Sequence, residues 1–468
     1  MPQLLADATF LDTHGGAKKA GHIRADSAFF DYEAKITGVV RRFAADGLTH
    51  DAYLRAAVKQ PSLFQQKPAT IVANITVVVE EFAAEGLTVR VYLQAALKQP
   101  AIFCQSARTA VTNIRGVAEH FSVEGLTAKD YLRVALKRPS LFRSACDTVA
   151  ANIRGTAKAF TAEGLTTRDY LRFALKQPAL FYYPADTIVA NIRGVAKLFA
   201  AEGLTIAEYL EAARKQPSLF YQSADAVAGN VMGVVERFAS EGLTARLYVR
   251  AALKQPPLFY QAPDTIAANV AGVVTRFATD GLTAKEYLKA ALKQPPLFSQ
   301  SPATIAANIV GVTERFASEG LTVGAYLRAA IKQPPLFYQK PATISRHIDL
   351  YLGMYDDGVF TIPRPRRGEQ EHDSRATPHA RVLAFLLRNP VLLCRDDGNL
   401  QLRRVFQQMS EIAPSSRDVL FRSRRAIEQK LLEQFGHTDP ARPVSKNANP
   451  ILRKLILDGY IKSVGLEA

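Results

Sequence analysis

Residues 164–202 read GLTTRDYLRFALKQPALFYYPADTIVANIRGVAKLFAAE, and the same 39-residue sentence recurs eight times in tandem. Its first glycine falls at Gly47, Gly86, Gly125, Gly164, Gly203, Gly242, Gly281 and Gly320, with no insertion or deletion between copies. An asparagine keeps the same beat from Asn74 to Asn308 and gives way to His347 in the last copy. A tandem period of this size, written in helical patterns, specifies a solenoid in which each repeat buries its apolar face against its neighbours. The expected fold class is all-α: a right-handed α-solenoid of helix–3₁₀–helix repeats with divergent helical caps.

Positions within a repeat are counted from that glycine. Threonine at position 3 is a good N-cap, and Asp130, Asp169, Glu208 and Glu286 stand three residues later, where they would close a capping box. A first helix is therefore expected over positions 4–14, burying Tyr, Leu, Ala and Leu at positions 7, 8, 11 and 12. Proline at position 15, such as Pro61 or Pro178, cannot continue it. The PxLF segment that follows suits a 3₁₀ turn. A second helix is expected from about the threonine at position 24. Its apolar residues at 25, 29, 32 and 36 (Ile188, Ile192, Val195 and Phe199 in one copy) match the helical template, and the next glycine ends it.

Outward from the repeats the boundaries follow. Residues 1–25 carry no period and read as a loose leader. Residues 26–46 form a partial N-terminal copy, in which Ile36, Val39 and Phe43 match the second half of the repeat. The eight full copies occupy 47–358. Residues 359–378 are rich in proline and charge and read as a linker. Residues 379–468 read as a helical C-terminal cap, whose LAFLLRNPVLL is a worn form of YLRAALKQPPLF.

The chain has 468 residues, of which 48% are hydrophobic and 22% charged, ordinary figures for a folded chain. Lys and Arg outnumber Asp and Glu by 59 to 43, for a net charge of +16, which points to acidic or phosphate-rich partners. Cys104, Cys146 and Cys394 are scattered, without the paired spacing of a disulfide framework or a zinc site, and fit a reducing compartment. No run approaches the roughly 18 apolar residues of a membrane span. The N-terminus lacks the basic start and apolar core of a secretory signal and is too poor in arginine for an organelle presequence. The expected setting is intracellular: a bacterial cytoplasm or, after delivery to a host, the nucleus, for which PRPRR at 363–367 is a candidate address.

Positions 5, 9 and 13 share one face of the first helix. Position 13 is lysine in every copy: Lys59, Lys98, Lys137, Lys176, Lys215, Lys254, Lys293 and Lys332. Position 9 is basic as Arg55, Arg133, Arg172, Arg250, Lys289 and Arg328, and position 5 as Arg90, Lys129, Arg168, Arg246 and Lys285. Stacked repeats would turn these into a basic ribbon able to track a phosphate backbone. A lysine in the last turn also complements the helix dipole, which offers position 13 a purely structural reading. Position 5, in the first turn, has no such explanation. Position 39, the residue before each opening glycine, is acidic from Asp46 to Glu319, so the repeat would set an acidic edge apart from a basic one.

Against this scaffold a few positions change. Position 19 includes Arg143, Tyr182, Tyr221, Tyr260 and Tyr338, and position 30 includes Arg115, Arg154 and Arg193. Variation on a fixed scaffold is how modular repeats read one unit of ligand each, and drift at exposed sites gives the same pattern. Tyrosines at position 19 would either stack on bases or pack. The asparagine at position 28 reads as a buried amide bonding the neighbouring repeat's backbone. No nucleophile motif, metal-ligand spacing or phosphate-cradling loop occurs, so neither an enzyme, a metal nor a cofactor is expected.

Helix, Pro-x-Leu-Phe turn, helix and Gly-Leu-Thr together resemble the repeats of the mitochondrial transcription termination factor (mTERF) family, over Gly47 to about Gly358 and again near residues 389–393. The resemblance implies a curved solenoid of two α-helices and a 3₁₀ helix per repeat, with a basic surface for double-stranded DNA or, in some members, RNA. It makes Pro61, Pro100, Pro139 and their equivalents the structural proline. A weaker likeness, through Asn-Ile followed by Gly, is to transcription-activator-like effectors. Those read bases from an interhelical loop, whereas the pattern here sets Asn191 and Ile192 inside a helix.

The sequence thus leads to a monomeric, non-enzymatic nucleic-acid-binding repeat protein with a gene-regulatory role, double-stranded DNA ahead of RNA. A solenoid scaffold for an acidic protein partner is the alternative.

Overall fold

The computed structural model describes residues 25–356 and 377–394, together with residue 362. Residues 1–24 of the leader, nearly all of the linker with its PRPRR stretch, and everything after Cys394 lie outside the described residues. All regular structure among the described residues is helical. Each repeat is a ten-residue α-helix, a short 3₁₀ helix and a longer α-helix, as in Thr167–Lys176, Pro178–Phe181 and Ala185–Leu198. Packing divides the chain into two compact units, one ending at Gly229 and the other beginning at Asn230. In each unit successive repeats pack on one another in sequence order, and the architecture is an all-α solenoid.

The first helix starts where its cap dictates. In all eight repeats the threonine at position 3 accepts a hydrogen bond from the backbone N–H three residues on. The capping box closes only with glutamate. Glu208 and Glu286 accept from the backbone N–H of Thr205 and Thr283 at 3.0 and 3.2 Å. Asp130 and Asp169, one methylene shorter, instead accept the threonine hydroxyl at 2.6 Å. The helix closes at position 13, one residue short of expectation, and proline opens the 3₁₀ turn.

The second helix begins at position 22, two residues before the threonine expected to start it. Ser106 and Ser301 at position 21 are the true caps, each accepting from the backbone N–H of the position-24 threonine at 3.1 Å. Pro68, Pro263, Pro302 and Pro341 then occupy the first helical position, where a missing N–H costs nothing. The helix ends at position 35, and the glycine follows one further turn. There Gly47 adopts φ +90°, its N–H bonds the Ala44 carbonyl at 3.0 Å, and the Leu48 N–H reaches the Phe43 carbonyl at 3.1 Å. This is a Schellman closure, and all eight glycines share the left-handed conformation it needs.

Neighbouring repeats are joined by three recurring devices. The buried tyrosine at position 7 meets the phenylalanine at position 18 of the next repeat edge to face. In the first unit Tyr92 meets Phe142 with centroids 5.6 Å apart, and in the second Tyr287 meets Phe337 at 5.4 Å. Burial pushes these phenols well above their ordinary pKa. The position-28 amide does what was expected of it: Asn113 donates to the Phe142 carbonyl at 2.8 Å, and Asn269 to the Phe298 carbonyl at 3.3 Å. Glycine at position 31 lets the next second helix approach, since a Cβ on Gly272 would lie 2.6 Å from Cγ of Pro302.

The ends follow the same grammar. The partial N-terminal copy is a helix, Ala25–Phe43, that buries Ile36, Val39 and Phe43 and packs Gly38 on Pro68. The worn copy is a helix, Pro378–Arg388, and a 3₁₀ turn, Pro390–Cys394. His347 donates from Nδ1 to the Leu393 carbonyl at 2.6 Å, the bond that asparagine makes elsewhere. The imidazole is thus an asparagine substitute at the last junction.

Candidate functional site

The cations expected on the first helices are all exposed. The first unit carries Lys59, Lys98, Lys137, Lys176, Lys215, Arg55, Arg133, Arg172, Arg90, Lys129 and Arg168. The second carries Lys254, Lys293, Lys332, Arg250, Lys289, Arg328, Arg246 and Lys285. Seven of the position-13 lysines make no ion pair among the described residues. The eighth, Lys215, lies 3.8 Å from Glu211. Position 9 is partly committed: Arg55 pairs with Asp51, Arg133 with Asp130 at 3.2 Å, and Arg172 with Asp169 at 3.9 Å. These pairs lie within one helix and are exposed or nearly so, and such pairs contribute about 0–1 kcal/mol. A phosphate would displace the carboxylate at little cost.

Position 5 sits differently. Arg168 donates to the Val123 carbonyl at 3.3 Å, beside the acidic Glu124 of the preceding turn. Arg90 lies against Gly47, which directly follows Asp46. Three residues beyond the position-9 site in another copy, Arg214 donates to the Glu163 carbonyl at 3.1 Å. Arg90, Arg168 and Arg214 thus each lie at the acidic corner that opens the repeat before their own. At Arg90 and Arg168, position 5 therefore lies beside acidic residues instead of apart from them.

The changing positions are engaged between repeats. Arg115 donates to the Glu81 carbonyl at 3.1 Å, pairs with the Glu81 carboxylate at 2.8 Å and covers the Phe82 ring. Arg154 donates to the His120 carbonyl at 2.8 Å over Phe121, and Arg193 to the Ala159 carbonyl at 3.3 Å over Phe160. Each caps the last turn of the preceding second helix, where unpaired carbonyls and the negative end of the dipole await a cation. Tyr182, Tyr221 and Tyr338 accept from Arg138, Gln177 and Gln294 of the preceding repeat at 2.5, 2.6 and 2.9 Å. Tyr182, Tyr183 and Tyr221 stack in sequence at 5.2 Å spacings. Tyr260 is half-buried, and Arg143, at the end of its 3₁₀ turn, is exposed. The pair Asn191 and Ile192 is buried inside Ala185–Leu198, with no loop from which to read a base.

One cluster escaped sequence reasoning. His120, Cys146 and Asp147 bring an imidazole nitrogen, a thiol and a carboxylate oxygen within 4.8 Å of one another. No local spacing signals it, because the residues come from successive repeats. Only alignment in the repeat frame exposes it: position 35 of one copy faces positions 22 and 23 of the next.

No protein-family model matches the chain, and no curated protein matches it.

Proposed function

We propose that the protein binds nucleic acid without catalysing a reaction on it, double-stranded DNA ahead of RNA, through the lysines at position 13 and the basic residues at position 9. The observation that carries this reading is the series of exposed lysines delivered to the same helical turn once per repeat, seven of the eight without an ion pair among the described residues. Helices packed side by side lie roughly 10 Å apart. One strand of duplex rises about 3.4 Å per nucleotide, so each repeat would present a lysine for roughly every third phosphate. The attraction is independent of sequence. With the position-30 arginines spent on helix caps, any base preference falls to Arg143 and the position-19 tyrosines. The helix–3₁₀–helix repeat with its leading proline is also the architecture that the likeness to mTERF repeats implies.

Electrophoretic mobility shift with random-sequence duplex DNA and single-stranded RNA tests it. Replacing Lys98, Lys137 and Lys176 together by glutamate should abolish the shift while leaving the helical circular dichroism intact. A shift that survives this reversal would remove the lysine series from the interface, and binding of an acidic protein instead would favour a scaffold.

A further inference from the structure

The cluster of His120, Cys146 and Asp147 lies outside the lysine series, and helix-end electrostatics explains its histidine and aspartate but not its thiol. His120 ends the helix Ala107–His120, while Cys146 and Asp147 open the helix Cys146–Ala159 of the next repeat. Both helices are locked together here, because Arg154 holds the His120 carbonyl at 2.8 Å. The three side chains border an open cavity of about 680 Å³ between the two helices.

Comparison among the repeats shows what is unusual. A pairing of positions 35 and 23 recurs as Arg237 with Asp264, so an ion pair alone accounts for His120 and Asp147, whose Nε2 and Oδ1 are 2.8 Å apart. It does not account for the thiol. Where Cys146 stands, the other copies have Pro68, Ala107, Ala185, Ala224, Pro263, Pro302 and Pro341, so the junction asks only for a small or ring-closed residue. The sulfur also needs its glycine, since a Cβ on Gly116 would come within 2.7 Å of Sγ.

We propose that His120, Cys146 and Asp147 form a binding site for a single thiophilic divalent cation of the zinc class. Thiolate, imidazole and carboxylate together are the donor set such an ion takes, with the fourth position open to water from the cavity. Bond lengths of about 2.0–2.3 Å set the ligand atoms roughly 3.3–3.6 Å apart around a tetrahedral ion. Rotamer adjustments of about an ångström reach this from the present arrangement, with the histidine–aspartate hydrogen bond exchanged for two metal bonds. The thiol releases its proton to solvent as the metal–sulfur bond forms. Arg115 lines the same cavity but is neutralised by Glu81, and Glu119 adds a further carboxylate.

The test is a cobalt(II) titration of the full-length, chelator-stripped protein, with zinc as competitor. A 1:1 complex with tetrahedral ligand-field bands and a thiolate-to-cobalt charge-transfer band is expected, all erased by stoichiometric zinc. Cys146→Ala places here the residue native to three other repeats at this position and should fold normally. It should lose the charge-transfer band and weaken zinc binding by more than the roughly 10- to 100-fold that a lost outer-shell partner costs. Cys104→Ala should change neither. A spectrum of octahedral aquo-cobalt only, or a charge-transfer band that persists in Cys146→Ala, overturns the assignment.

Discussion

Replacing His347 by alanine probes how the array is closed. The ring is 3% exposed, and its Nδ1–H supplies the only donor to the buried Leu393 carbonyl among the described residues. Stranding a buried acceptor costs about 1–3 kcal/mol, and the lost ring packing brings the total to about 2–4 kcal/mol. In a solenoid that loss stays local, because each repeat is held by its neighbours alone. The segments released are Pro378–Arg388 and Pro390–Cys394. At 1.4 kcal/mol per decade, their opening equilibrium should rise roughly 30-fold or more. Hydrogen exchange read by mass spectrometry should show faster exchange in peptides from 377–394 and unchanged rates in 47–229. His347→Asn should restore protection, since asparagine makes this bond elsewhere. Asn113→Ala should be milder, because the Phe142 carbonyl keeps a second donor in Gln105 at 2.7 Å. Unchanged exchange in 377–394, or acceleration spread evenly through the chain, would refute the reasoning.

Further outcomes concern stability and reactivity. Tyr287→Phe deletes a hydroxyl that donates to the Leu297 carbonyl at 3.1 Å and should cost about 1 kcal/mol in chemical denaturation. Tyr53→Phe removes a buried hydroxyl without a hydrogen-bond partner and should be neutral or stabilising. Burial pushes the Cys394 thiol up to about 11, against a lowering by its hydrogen bond with Gln333. Only the thiolate reacts, so about a thousandth of this thiol is competent at pH 8. Its alkylation rate in the folded protein should therefore climb about tenfold per pH unit until pH nears 11. The same shift makes folding stability contributed by this group present below pH 9 and lost as pH rises through 11.

What could be read from the sequence divides along the distance between interacting residues. Thr166 capping its own helix, Pro178 ending it and Gly164 turning left-handed are local chemistry, and each was legible. The second helix begins two residues before the threonine at position 24, because Ser106 and Ser301 supply the cap three residues ahead of that threonine. Arg193 and Tyr221 show in sequence only as changing positions, because their partners, Ala159 and Gln177, are 34 and 44 residues away in the neighbouring copy. The same blindness hid His120 from Cys146 and assigned Arg168 to an open ribbon when it lies at the acidic corner of the repeat before. Asn113 was the exception, because its beside-the-stripe position and the nearby glycine already implied a neighbour's backbone.

The lysine series itself is tested most directly by the salt dependence of duplex binding. If each of the eight position-13 lysines neutralises one phosphate, the logarithm of the association constant should fall against the logarithm of salt concentration with a slope of about −7. Lys98→Glu, Lys137→Glu and Lys176→Glu introduced singly should each flatten that slope by about 1. A wild-type slope near zero, or no binding at low salt, would contradict the nucleic-acid reading.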